Sequence, residues 1–542
     1  MRRLATASAL VALLMMPGGQ ALAQEGPDPV PPGPAGTVRV PQDAPTIQQA
    51  VDRAEPGGLV LVAAGVYREA VVVTTPYLTI RGMDRNDTIL EGDFELANGI
   101  HVIEADGVAV ENLTARHFLL NGFSWSEVLG YRGSFLTAHT NGDHGIQAFG
   151  SRWGQLDHSY ASGSPDAGFS IGACNPCDAL ITDVLAEHNV LGYSGTNAGG
   201  DLVIVNSEWR ENLAGIVPNT LDSEPLAPQQ DVLIAGNHVH HNNSTTGYAK
   251  DHRFVPNGMG IVVAGGRGNR VVGNLVEDQT TYGIAMIPIV DTNLWPTGEN
   301  EVRNNVVRRS GRADLTLAAP SFGGDCFESN DSSTSQPAAA ELLFPCDGLR
   351  PFPGGGGSMA PTANILARLI DPLGGEVPYG DWRDQPAPHV TLPDMPDDPV
   401  TAPPNPAIPQ EAVPELYRIR DVADIRAARG PRISQEISLM GVPLVASSWW
   451  SLLLGLYGYI LPFVLYASWV AVAMWDLIRR EGDSMPNRAG WMAIVLLAPF
   501  VGPLLYFGFG RSSIPVQLRL MLTAGGVTAY LVFLALGLVF GG

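Results

Sequence analysis

Short runs of alternating apolar and polar residues recur through the middle of the chain, and a column of glycines keeps them in step. Gly99, Gly122, Gly145, Gly168, Gly192, Gly215, Gly260 and Gly283 are separated by 23, 23, 23, 24, 23, 45 and 23 residues, the mark of a stacked repeat. After each glycine comes Ile100, Phe123, Ile146, Phe169, Tyr193, Ile216, Ile261 or Ile284, a column of inward positions. Two residues after the glycine stand His101, Ser124, Gln147, Ser170 and Ser194, and three after it Val102, Trp125, Ala148 and Ile171. That is the period-two alternation of a strand with a polar outward column. Further strand-like runs follow about ten residues on (Val108 to Leu113, Ala179 to Val184, Leu202 to Val205, Val232 to Ala235, Arg270 to Val276), often with Asn after them, as at Asn206, Asn237 and Asn274. Each coil therefore holds two or three short strands. No segment of the repeat has helical spacing, and the spaced leucines of a horseshoe are missing. The expected fold is an all-β right-handed parallel β-helix, a solenoid, its hand set by the rule for parallel connections. The long interval is a coil with two insertions, Leu221 to Gln230 and Thr245 to Asn257, and insertions in solenoids favour the functional face.

Over about residues 38 to 350 this pattern resembles the right-handed β-helix families: pectate lyases, polysaccharide epimerases and periplasmic carbohydrate-binding and sugar-hydrolase proteins. The words Val40-Pro-Gln-Asp-Ala-Pro-Thr-Ile-Gln-Gln-Ala50, Ala64-Gly-Val-Tyr-Arg-Glu69 and Leu78-Thr-Ile-Arg-Gly82 are similar to the openings of pectin-esterase-like and copper-enzyme-accessory β-helix proteins. The resemblance implies a fold more than an activity.

Outside the repeat the pattern changes. Arg2 and Arg3, the apolar Ala5 to Met16 and the small residues Ala21-Leu22-Ala23 predict a secretory signal over residues 1–23, too short to span a bilayer. A disordered Pro/Gly stretch follows (24–36), then a cap (37–98). There Thr46 and Gln49 stand in capping-box spacing, and Ile47, Ala50, Val51 and Ala54 share one helix face. The β-helix proper is expected over 99–350 and a Pro-rich linker over 351–432. Residues 386–414 hold ten prolines, predicting an extended arm of up to about 90 Å. An α-helical transmembrane region (443–542) has apolar runs of spanning length at about 449–474, 490–509 and 518–541. Within it, Trp475-Asp476-Leu477-Ile478-Arg479-Arg480 and the run from Trp491 to Tyr506, through Pro499, Gly502 and Pro503, resemble the membrane hairpin at the N-terminus of cardiolipin-synthase-like phospholipases D. The catalytic motifs of those enzymes are missing, so no phospholipase activity is implied. The expected localisation is a bacterial cell membrane, multi-pass, with the β-helix extracytoplasmic, the turn bearing Arg479, Arg480 and Arg488 inside, and the lipid bilayer engaged through the C-terminal helices.

A net charge of −22 from 54 acidic and 32 basic residues makes nucleic acid an unsuitable partner. It also repels polyanionic polysaccharide unless Ca²⁺ bridges the carboxylates. Four cysteines in an exported chain are read as two sequential disulfides, Cys174 with Cys177 and Cys326 with Cys346. A redox CxxC would want a strand-helix context, and a four-cysteine zinc site a second CxxC.

The most informative chemistry is Asp143-His144 before Gly145 and Asp166 before Gly168. Equivalent positions in adjacent coils bring Asp143 and Asp166 to roughly 5 Å, where paired carboxylates raise one another's pKa or hold a cation. Asp, Asn and His before glycine are also ordinary turn residues. With Asn141, His158, His188 and the column Ser124, Gln147, Ser170 and Ser194 as substrate-binding groups, the three form a groove in which polysaccharide would lie. The second insertion carries Lys250, His252 and Arg253, and Lys250 is the only lysine of the chain, which suggests an amine base for abstracting a sugar proton beside a Ca²⁺ held by Asp143 and Asp166. Of His238, His240 and His241, strand alternation lets only the first two converge on a metal. Two readings stay open. One is a surface-anchored polysaccharide lyase, epimerase or glycoside hydrolase. The other is a non-catalytic scaffold binding glycan or another envelope component.

Overall fold

The computed structural model describes residues 31, 33–244, 257–347, 356–363, 381–385, 388, 391–402, 468–478, 490–492, 494–495, 501–509 and 514–520. Among these, three parallel sheets of 11, 12 and 11 strands run side by side, and the chain visits them in rotation. In one coil, Ile100–Ile103 lies in sheet I, Val108–Glu111 in sheet II and Thr114–Arg116 in sheet III; Phe123–Ser126 then returns to sheet I. Each coil thus has three strands, and the chain is a parallel β-helix. The stack starts well before Gly99: Val38–Val40 pairs with Leu59–Val62, and Gly65–Tyr67 and Val71–Val73 complete a coil.

Register explains the glycine column. Phe123 pairs with both Ile100 and Ile146, and Ile146 with Phe169, so all the glycines fall at one height in sheet I. There the coils approach too closely for a side chain. A Cβ on Gly145 would lie 2.6 Å from the Gly168 carbonyl oxygen, and one on Gly192, Gly215 or Gly260 would meet the next coil's carbonyl at 2.6 Å. The neighbouring isoleucine and aromatic column is fully buried, as the alternation predicts.

Corners are made by two kinds of residue. Between sheets II and III one residue per coil is left-handed, among them Asn112 (φ 58°), Phe135 (51°), His158 (46°), Asp183 (54°), Asn206 (50°) and Asn304 (55°). The next side chain turns inward: apolar at Leu113, Leu136 and Val184, hydroxyl at Ser159 and Ser207, and amide at Asn237, Asn274 and Asn305. Asn237 donates to Asn274 at 3.0 Å, Asn274 to Asn305 at 2.9 Å and Asn305 to Asn330 at 2.9 Å. These amides satisfy buried backbone groups that the bend frees from the sheets. Asn189, Asn212 and Asn242 stack likewise at another corner.

The ends and the outer face complete the unit. Helix α1, Ile47–Arg53, lies across the first coil with Ile47, Ala50 and Val51 buried. Thr46 accepts from the Gln49 N–H at 3.1 Å, and Glu69, in the connection between Gly65–Tyr67 and Val71–Val73, accepts from the N–H groups of Ile47 and Gln48 at 3.0 and 3.1 Å. Both sequential disulfides form, Cys174 with Cys177 and Cys326 with Cys346.

Part of the Pro-rich segment departs from the extended arm expected of it and lies against the solenoid. The buried guanidinium of Arg81 donates to the carbonyls of Pro399 (3.0 Å) and Ala402 (2.9 Å) and pairs with Glu111, while Arg85 donates to Pro393 O at 3.2 Å. Two buried cations need such acceptors, and the segment's free carbonyls supply them.

Within the C-terminal residues, helices at 468–478 and Val501–Phe509 pack through Trp469, Ala473, Leu477 and Tyr506. Tyr506 Oη donates to the buried Asp476 at 2.7 Å. No described helix is long and apolar enough to cross a membrane. Most of the expected spans, and the secretory signal, lie outside the described residues.

Candidate functional site

Asp143, His144 and Asp166 stand where the chain enters sheet I. The Asp166 N–H donates to the Asp143 carbonyl at 3.2 Å, and His144 pairs in register with Ala167, so stacking alone brings the residues together. His144 Nδ1 is 3.1 Å from Asn121 Oδ1 and 3.7 Å from Asp143, and Nε2 is 3.9 Å from Asp166. Because Asn121 Oδ1 also accepts the His144 backbone N–H at 3.2 Å, the ring proton is assigned to Nδ1 and Nε2 faces Asp166. One ligand atom from each of the three residues lies within 4.8 Å of the others. The imidazole is nearly buried, whereas the Asp166 side chain is 41% exposed and can meet a ligand.

The first insertion, expected only as a loop, is a built element that carries a further acid. Asn197, left-handed at φ 49°, donates to the carbonyls of Leu221 (2.7 Å), Glu224 (2.9 Å) and Pro225 (3.1 Å), and accepts from the Leu221 N–H at 3.1 Å. From the other side Asp222 accepts from Asn293 Nδ2 at 2.7 Å and Trp295 Nε1 at 3.1 Å, in the hairpin of Ile289–Val290 and Leu294–Trp295. So held, the Glu224 carboxylate lies along sheet I, where Oε2 would be 3.6 Å from a Cβ on Gly172. Burial, and then the charge of Asp166, pushes its pKa up to about 7. Near neutral pH one side of the site thus offers a half-protonated acid. Sequence reasoning missed Glu224 because an acid within an irregular insertion has no periodic position; the only signal was its place in a loop on the repeat.

The other expected site residues divide. Ser124, Gln147, Ser170 and Ser194 do form one in-register column, but Ser124, Ser170 and Ser194 are 2%, 7% and 6% exposed. Of the four only the longer Gln147 is more than slightly exposed. The column also ends early: Ser194 pairs with Val217, and beyond it Val217, Val262 and Ala285 belong to a buried apolar cluster on this face. His158 and His188 stand at other corners, paired with Asp157 at 2.9 Å and Glu211 at 3.4 Å. Lys250, His252 and Arg253 lie outside the described residues.

A family model described as "Phospholipase_D-nuclease N-terminal" matches residues 469–511, the segment in which Asp476 and Tyr506 pair. No curated protein matches the chain by sequence. Among solved structures, the chain is similar to the A-module of the Azotobacter vinelandii mannuronan C-5 epimerase AlgE4 (14% identity, 53% of this chain and 90% of that one, TM-score 0.40). It is also similar to the periplasmic alginate epimerase AlgG (12%, 55% and 83%, 0.37) and to the catalytic domain of a GH87 α-1,3-glucanase (15%, 61% and 70%, 0.43).

Proposed function

We propose that this β-helix is a membrane-anchored, extracytoplasmic enzyme that cleaves a polysaccharide by acid–base chemistry between Glu224 and the Asp143–His144–Asp166 cluster. The observation that carries the reading is the pairing of Glu224, raised to about 7 by burial and then by the charge of Asp166, with the Asp166 carboxylate itself. Such a pair divides the two roles that glycoside hydrolysis needs. Glu224 donates its proton to the glycosidic oxygen as the C1–O bond breaks. Asp166 takes a proton from the water that attacks C1, with His144 orienting the carboxylates and Gln147 contacting sugar hydroxyls.

A cation-assisted elimination or epimerisation of a uronate polymer is a second reading, favoured by the closeness of Asp143 and Asp166. Ca²⁺ takes six to eight oxygen ligands, and this cluster offers two carboxylates beside an imidazole. Asp143 and Asp166 would hold the ion only with oxygens from uronate and water completing its shell, and it would there neutralise the sugar carboxylate. Anchoring is proposed from the apolar C-terminal runs and the 469–511 match.

The test is to incubate the full-length protein with a panel of neutral and uronate polysaccharides and to measure new reducing ends and the ultraviolet absorbance of unsaturated products. Glu224→Gln and Asp166→Asn should each lower turnover by about 100-fold or more, with melting temperature nearly unchanged. Reducing ends without unsaturation support hydrolysis, and Ca²⁺-dependent unsaturation supports elimination. If no polymer is altered, or Glu224→Gln is as active as wild type, the catalytic reading fails and a glycan-binding scaffold takes its place. For the anchor, a reporter active only outside the cytoplasm should work when inserted near Ser512 and stay silent after Gly542.

A further inference from the structure

We propose that Glu208, His238 and His240 form a site for a divalent transition ion of the zinc type, open to a cleft on the outer face of sheet III and separate from the groove on sheet I. The three residues come from two adjacent coils. Glu208–Arg210 pairs in register with His238–His240, which pairs in turn with Leu275–Glu277, and the outward positions of these strands stack as two columns. The imidazoles of His238 and His240 lie face to face, with ring centroids 4.1 Å apart. Glu208 Oε1 is 3.1 Å from His240 Nε2, and one ligand atom from each of the three residues lies within 4.8 Å of the others. With bonds of about 2.0–2.2 Å, tetrahedral zinc separates its donors by roughly 3.3–3.5 Å, so small side-chain rotations close the set. Two imidazoles and a carboxylate are the donors of zinc rather than of calcium or magnesium.

His241 supplies a second observation. Strand alternation points it away from its neighbours, yet its left-handed backbone (φ 52°) swings the ring back, so that its Nδ1 lies 2.9 Å from His240 Nδ1. Without an ion His240 Nε2 donates to the Glu208 carboxylate at 3.1 Å; an ion would displace that proton and take the Nε2 lone pair, with His240 Nδ1 donating to His241. That is the outer hydrogen bond by which a metal-ligating histidine is normally oriented. Arg210 and Glu277 bond Glu208 at 2.8 Å and His238 at 3.1 Å, and both contacts would give way on binding. Three protein ligands leave a coordination position open, the arrangement of reactive rather than purely structural zinc. Glu208 and His238 line a cleft of about 580 Å³, bounded also by Tyr160 and by Leu392 and Pro393 of the docked Pro-rich segment. A water or a donor group of a small polar molecule can reach the ion from it.

Full-length protein stripped with chelator is titrated with ZnCl₂ by calorimetry and with Co²⁺ by visible absorption. The expected result is saturable uptake and a tetrahedral Co²⁺ spectrum, both lost in His238→Ala and in His240→Ala and retained in His144→Ala. His241→Ala should weaken binding by about 10-fold. A wild-type protein that takes up no ion, or uptake that survives both ligand substitutions, overturns the site. Should those variants misfold, wild-type protein is treated with diethyl pyrocarbonate with and without Zn²⁺ and mapped by mass. Protection of His238 and His240 by Zn²⁺ supports the site, and unchanged reactivity refutes it.

Discussion

Glu224 and His139 show how single residues tie chemistry to pH in opposite senses. A carboxyl whose pKa rises on folding binds its proton more tightly in the native state, so its contribution to stability is complete below the unfolded value and is lost as pH rises through the folded one. For Glu224 that window runs from 4.5 to about 7. Stability should decline across it, the decline should flatten in Glu224→Gln, and any hydrolytic rate should fall above about pH 7 with the same residue. Burial, and then the neighbouring His117 and Arg116, holds His139 down to about 3. Its contribution is present above 6.5 and drains away as pH falls, so His139→Gln should reduce acid lability in denaturant titrations at pH 4 to 6. At Gly145 the argument is steric. A Cβ 2.6 Å from the Gly168 carbonyl would push two coils apart, and Gly145→Ala should cost about 1–3 kcal/mol by chemical denaturation.

Among elements, the corners and the cap carry stability that the strands do not. Asn274 Oδ1 accepts the backbone N–H of Asn237 at 3.0 Å and its Nδ2 donates to the Ile234 carbonyl at 2.9 Å, so removing its amide orphans a buried donor and a buried acceptor at once. Asn274→Ala should destabilise by about 1–3 kcal/mol, whereas Asn206→Gly, at a left-handed corner outside the ladder, should be nearly neutral because its φ of 50° suits glycine. Helix α1 is shorter than two full turns and borrows its N-terminal acceptor from Glu69, distant in sequence. Glu69→Ala should therefore loosen the first coil, which amide exchange of Val60 and Val62 would register.

At the scale of the whole molecule, the docked residues 391–402 bear on both the fold and sheet III. Arg81 and Arg85 are 1% exposed, and much of their hydrogen bonding is to this segment. Replacing residues 391–402 by a Gly/Ser stretch of equal length should lower the melting temperature by several degrees and open the cleft beside His238 to proteolysis at neighbouring turns. An unchanged melting temperature would mean that the segment adds nothing to the cohesion of the solenoid.

What could be read directly from the residues was whatever repeats. The glycine spacing, the inward apolar column and the Asp143–Asp166 stacking are all consequences of a regular period, because in a stacked sheet a fixed spacing in sequence becomes a fixed neighbour in space, while the two disulfides followed from sequential pairing of four cysteines. Three coil strands rather than two or three, and the closeness that forces each glycine, needed the register itself. The departures arise where the chain leaves the period. Ser124, Ser170 and Ser194 have the right parity for an outward face, but parity does not reveal what stands beside or above a short side chain, and they are covered. His241 has the wrong parity and converges all the same, since one left-handed residue reverses it. Glu224 and the arginines that hold the Pro-rich segment owe their roles to contacts between distant parts of the chain, such as Asn197 with Pro225 and Arg81 with Ala402. Burial, and with it the pKa of an acid or the need of a guanidinium for carbonyl partners, is a property of the assembled neighbourhood, and only the tertiary structure decides it.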